Sequence, residues 1–225
     1  PVHLGGTRWL APAERHAKSH VPEWLRGYHA FALLSDDDGL TWRVAGPMLN
    51  DPDREVVYYD QHVARLDDGR LLSLAWVHDV IDDVTLPARA GWSTDDGETW
   101  SAPHETAING GPAAPVLLAN GTLIAAYPHR SSPAGVRLVL SHDDGLTWDS
   151  ESDFVVWDEA TRTITGRPAT APVGSGAAEP LWDTMWSWSF GLPTAVALGD
   201  DTVGVVFYSL NGSGASGVRF VQLKV

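Results

Sequence analysis

Three short stretches carry residues suited to proton transfer and sugar binding: "YYDQH" at 58–62, "WVHD" at 76–79 and "YPHR" at 127–130. Asp60, His78, Asp79 and His129 are the candidates for acid–base chemistry, which needs a carboxyl or imidazole within reach of a reacting oxygen. Tyr59, Gln61, His62 and Trp76 flank them as candidate substrate contacts, and Tyr208 ends a later run at the same level. Arg130 adds a guanidinium fork suited to an anionic or hydroxyl-rich group. The most aromatic stretch, "WDTMWSWSFG" at 182–191, offers Trp186 and Trp188 as the floor of a sugar subsite or, equally, as packing for a long connection. Glycosidic cleavage usually takes two carboxyl groups across the scissile bond. Glu14, Asp60, Asp79, Glu179 and Asp183 are available, and spacing alone selects no pair among them. His78 lies nine residues after Gly69 and His129 eight after Gly121, which predicts nearly the same height in neighbouring units. Their spacing is not that of a known ligand motif, so neither a metal nor a cofactor is expected.

A repeat positions these residues. "SDDDGLTW" (35–42), "STDDGETW" (93–100) and "SHDDGLTW" (141–148) share the phrase Ser-x-Asp-x-Gly-x-Thr-Trp. Each follows an apolar or alternating run of strand type. Asp and Gly then make a tight turn and Thr-Trp opens the next strand. Upstream lie hairpin patterns at 1–12, 63–76 and 115–128, with a fourth at 195–208. The chain therefore reads as four units of strands A-B-C-D, roughly 1–50, 56–106, 112–158 and 190–225, with a long connection over 150–190. The last unit stops where its turn phrase would come. Four-stranded units of roughly 45–60 residues specify an all-β fold, a β-propeller of antiparallel blades. The segment at 12–27 holds at most one short helical turn, interrupted at Pro22.

Strand alternation puts the A–B and C–D turns at one end and the longer B–C and D–A loops at the other. All the candidates above fall at the second end, where function concentrates on a rigid scaffold. Asp37, Asp95 and Asp143 are expected to bond their own turns, with Trp42, Trp100 and Trp148 packed between strands. "DDDG" lacks the spaced ligands and terminal Glu of a calcium loop.

Composition narrows the partners. A net charge of −14 argues against nucleic acid and anionic membrane surfaces, both of which need basic patches. No apolar run reaches membrane-spanning length. Zero cysteines exclude disulfides, thiolate zinc sites and a cysteine nucleophile, and leave the compartment open.

The turn phrase is the Asp-box, and three copies on strand hairpins resemble the sialidase-like, BNR-repeat propeller superfamily over essentially the whole chain. The resemblance implies a closed ring, commonly of about six blades. The first unit begins inside strand A and the last lacks D. The chain is therefore expected to be the C-terminal part of a longer propeller, with N-terminal blades from the same polypeptide. The resemblance also implies a carbohydrate-active enzyme, a glycoside hydrolase using acid–base catalysis on a glycan. "HRSSPAGVRLVLSHDDG" is similar to the segment in which sialidases carry an arginine for the sugar carboxylate, here Arg130, whereas Arg89 and Arg137 are expected within strands in structural roles. The sialidase nucleophile pair has no counterpart. Ala113 and Ala114 stand where its glutamate would be, and no tyrosine occurs at 191–193. This points to a non-sialidase branch. A non-catalytic glycan- or protein-binding propeller and a true exo-sialidase are the alternatives.

Overall fold

The computed structural model describes residues 1–15, 29–50, 56–79, 81–149, 153–168, 188–210 and 214–225. Each hairpin pattern becomes a pair of strands, and consecutive strands pair antiparallel. Sheet 1 holds β1 (Val2–Gly5), β2 (Arg8–Arg15), β3 (His29–Ser35) and β4 (Arg43–Leu49). Sheet 2 holds β5 (Val56–Arg65), β6 (Leu71–Asp79), β7 (Val84–Ser93) and β8 (His104–Glu105). Sheet 3 holds β9 (Ala114–Leu117), β10 (Leu123–His129), β11 (Gly135–Ser141), β12 (Phe154–Asp158) and β13 (Thr163–Pro168). Sheet 4 holds β14 (Phe190–Ala197), β15 (Thr202–Leu210) and β16 (Ser216–Lys224). No helix occurs among the described residues.

The fifth strand of sheet 3 lies in what the sequence presents as a connection. A turn closes it onto β12: Asp158 Oδ1 accepts the Thr161 amide at 2.9 Å, Arg162 takes a left-handed φ of 53°, and Asp158 pairs with Thr163. The candidate helical turn at 12–27 resolves in part as the end of β2, and the remainder lies outside the described residues.

Strand alternation sorts side chains to the two faces of each sheet. On β6, Leu71, Ala75 and Val77 join Leu10 and Leu34 in the core between sheets 1 and 2. Leu72 and Leu74 join Leu123, Ala125 and Tyr127 in the core between sheets 2 and 3. A third core, with Ile124, Val136, Val203 and Phe207, joins sheets 3 and 4.

The three turn phrases repeat one hydrogen-bond pattern. Ser35 Oγ donates to Asp37 Oδ1 and accepts the Gly39 amide, while Asp37 accepts the Thr41 amide (2.8 Å) and hydroxyl (2.6 Å). Ser93, Asp95 and Thr99 repeat it, as do Ser141, Asp143 and Thr147. The Thr41 hydroxyl and amide, with Ser35, hold the Asp37 carboxyl down to about 2. These aspartates are turn braces.

Packing of the phrases differs by position. A Cβ on Gly97 would fall 2.2 Å from Leu10 Cδ1, and one on Gly145 would fall 2.8 Å from Leu72 Cδ2. Each phrase thus sits on the preceding sheet, and Trp148 is buried in that core with Trp100 packed at the edge of its own. Gly39 meets only its own Trp42, which is 40% exposed beside Leu40 and Val44. The expected burial of Trp42 between strands does not occur, because no sheet precedes the first among the described residues.

This contrast sets up a matched pair. Gly39 and Gly97 share φ near +85° (84° and 86°), so alanine at either carries the same left-handed strain. Only Gly97→Ala also forces the wholly buried Leu10 to move. It is expected to cost roughly 1–3 kcal/mol more than Gly39→Ala in urea unfolding. Equal costs would refute sheet-on-turn packing as the constraint.

Candidate functional site

The inner strand of sheet 2 is interrupted where the chemistry gathers. Tyr59 pairs with Trp76 and His62 with Leu74, so Asp60 and Gln61 bulge out against the single residue Ala75. Asp60 takes φ +46°, a conformation that Asp tolerates better than most residues. Glu14, at the end of β2, holds the bulge from the next sheet: its Oε2 accepts the Asp60 amide at 2.8 Å and the Gln61 side-chain amide at 3.4 Å. Asp60 is exposed, Gln61 is 7% exposed and His62 is half-buried. Burial lowers the His62 imidazole below its usual value, with the Asp60 carboxylate pulling the other way.

Gln61 and His62 line a cavity of about 300 Å³ on the common axis, together with Val2, Pro12, Val63 and Thr194. The innermost strands β1, β5, β9 and β14 all contribute to its wall.

A second cluster spans three sheets. The Tyr59 and Trp76 rings lie 5.5 Å apart, Trp76 and Trp188 lie 6.1 Å apart, and the Arg130 guanidinium stacks on the Trp188 ring, 3.5 Å from its centroid. Arg130 Nη1 donates to the Phe190 carbonyl at 2.8 Å. A Cβ on Gly191 would stand 2.7 Å from Arg130 Nη2 and 3.0 Å from the Tyr208 hydroxyl, so glycine is what lets these groups meet. Burial lowers the Arg130 guanidinium to about 10, and Tyr208 beside it acts in the opposite direction. "YYDQH", "WVHD" and "YPHR" thus converge, as a strut. Tyr59 and Trp76 are each 6% exposed, which makes them packing residues and not an open stacking platform. Trp186, Glu179 and Asp183 lie outside the described residues.

The remaining acid–base candidates are committed elsewhere. His78 is 2% exposed and its Nε2 lies 3.0 Å from Asp83 Oδ1. Asp79 Oδ1 accepts the Ile81 and Asp82 amides at 2.8 and 3.0 Å, and these bonds, Asp82 first, lower its carboxyl. Its role is to cap a turn. His129, also 2% exposed, meets the Asn109 carbonyl at 2.8 Å through Nδ1. A carbonyl only accepts, so the proton is on Nδ1 and Nε2 is bare. Burial lowers this imidazole, the Asn109 carbonyl opposes the shift and Arg137 adds to it.

The two histidines are not structural equivalents. Leu71 pairs with Ser93 and Leu123 with Ser141, so the ladders align these starts. His78 then stands seven residues along β6 and His129 six along β10. His78 matches Arg130 and His129 matches Val77, on opposite faces of their sheets. Arg89 donates to the Tyr58 hydroxyl (2.9 Å) from β7, and Arg137 to the Pro133 carbonyl (2.7 Å) from β11. Among the described residues no group of three or more metal-ligating side chains comes together.

No protein-family model matches the sequence, and no curated protein matches it. Likeness appears among solved structures. A protein of unknown function from Dyadobacter fermentans aligns with TM-score 0.70 and 20% identity over 99% of this chain and 52% of its own. The intramolecular trans-sialidase of Ruminococcus gnavus aligns with TM-score 0.56 and 12% identity over 97% of this chain and 40% of its own. The α-L-arabinofuranosidase Arb93A of Fusarium graminearum gives TM-score 0.57 and 16% identity over 97% of this chain and 59% of its own. The chain spans about half the length of these structures. At such identities the likeness is one of architecture, and the fold is the sialidase-like β-propeller shared by these glycosidases.

Proposed function

We propose that the protein is a carbohydrate-active enzyme, a glycoside hydrolase that works at the loop-rich end of the propeller. The observation that carries this reading is the Glu14-braced bulge. It holds an exposed carboxylate, Asp60, beside two polar residues that line the axial cavity. Asp60 serves as acid or base, Gln61 and His62 contact the sugar, and Glu14 positions the bulge. Sialidases, arabinofuranosidases and fructofuranosidases on similar propellers support the substrate class. The exo-sialidase alternative has less support, since Arg130 is stacked under Trp188 and bonded to Phe190.

A glycan-binding propeller without turnover is the second reading. It is favoured by the commitment of His78, Asp79 and His129 to loops and backbone, which leaves one exposed candidate of the four. A panel of 4-nitrophenyl glycosides and plant and host polysaccharides separates the two. Release of nitrophenol or reducing ends is the expected result. Saturable binding without product supports the second reading, and neither binding nor product refutes both.

A further inference from the structure

We infer that the axial cavity seats an uncharged, hydroxyl-bearing glycosyl unit and that Gln61 Oε1 is its hydrogen-bond acceptor; this rests on the reading that the loop-rich end binds carbohydrate. The orientation of the Gln61 amide follows from its neighbours. The Glu14 carboxylate and the Tyr58 carbonyl, each 3.4 Å from Nε2, both accept, so the amide must turn its NH₂ toward them. Oε1 is left buried with no donor among the described residues. A buried acceptor without a donor keeps its full desolvation penalty, and a ligand hydroxyl in the cavity that Gln61 lines removes it.

The charge around the cavity decides the class of sugar. Among the described residues no lysine or arginine side chain lines it, and its other polar side chains are His62 and Thr194. Burial lowers the His62 imidazole and so disfavours its cationic form, Asp60 opposes this, and the Pro1 terminus acts with burial. Two carboxylates, Glu14 and Asp60, adjoin the wall through Gln61 and His62. A sugar carboxylate placed there would be desolvated beside two like charges, with the Pro1 terminal amine as the one cationic group at the wall and no guanidinium fork to hold it. Arg130, whose fork would suit such a group, is turned into sheet 4 under the Trp188 ring. The volume, about 300 Å³, is at the small end for ligand pockets and suits one ring better than an oligosaccharide.

The test is an NMR titration of the chain with methyl glycosides of galactose, glucose and arabinofuranose, against those of N-acetylneuraminic acid and glucuronic acid. At least one neutral glycoside is expected to bind ten-fold or more tightly than either acid and to shift the Gln61 side-chain amide and His62 imidazole resonances. That readout needs no variant. Gln61→Met, nearly isosteric, is expected to weaken the same ligand ten-fold or more. Tighter binding of the acids, or neutral binding that ignores Gln61→Met, overturns the inference and leaves the carbohydrate reading standing. Absence of any saccharide response at tens of millimolar, with no turnover, overturns both.

Discussion

Replacing Asp60 by Asn is expected to lower kcat/KM on any glycoside the protein turns over by roughly 100- to 10,000-fold, the usual contribution of a positioned acid or base. The substitution isolates charge from shape. Asn is among the few residues that accept φ +46° readily, so the bulge keeps its backbone and the Asp60 amide keeps its bond to Glu14. Glycine at 60 is the companion variant, since it accepts the same φ and removes the carboxyl. Both should lose turnover while the unfolding midpoint stays within a few degrees of wild type. Alanine at 60 would confound the two effects by adding left-handed strain. If Asp60→Asn and Asp60→Gly retain wild-type rates, the bulge is a scaffold feature and the acid–base role falls.

The strands were legible because their signals are local. Period-two alternation and Asp-Gly turns are written within ten residues of each hairpin, and the bonds of Asp37, Asp95 and Asp143 stay inside their own turns. Long-range placement was less legible. The counts for His78 and His129 differ by a single residue from their turn glycines, which suggests similar heights. In a strand one residue is half a period and reverses the face. Glu14 was one carboxylate among five, and no pattern at 12–27 announces that it braces a bulge 46 positions away. In the sequence Arg130 reads as a fork for anions. Its stacking on Trp188 depends on Gly191 admitting it beside Tyr208, a requirement that exists only once sheets 3 and 4 meet. β13 carries little strand signal, because its run is short and lies in a Gly- and Pro-rich stretch.

Asp153→Asn is expected to abolish a pH dependence of stability that the wild-type chain carries between about pH 4 and 7. Asp153 is wholly buried immediately before β12, where the Tyr127 hydroxyl donates to Oδ2 and Oδ1 has no donor among the described residues. Burial raises its carboxyl from 3.8 to about 6, while the Tyr127 bond and the buried Arg137 on β11 act against the shift and Asp149 adds to it. The folded state therefore holds the Asp153 proton more tightly than the unfolded chain does. The stabilisation is fully present below pH 3.8 and is lost as pH rises through about 6. Two pKa units correspond to about 3 kcal/mol. The asparagine side chain has no titrating proton to lose, and its carbonyl oxygen can still accept from Tyr127. Urea unfolding across pH 4–8 should show wild type falling by about 3 kcal/mol relative to Asp153→Asn, with the difference level above pH 7. Any fixed cost of leaving Arg137 without its carboxylate offsets the two curves equally at all pH and does not alter their relative slope. Parallel curves would mean that Asp153 is ionised in the folded protein throughout, with Arg137 and Tyr127 outweighing its burial.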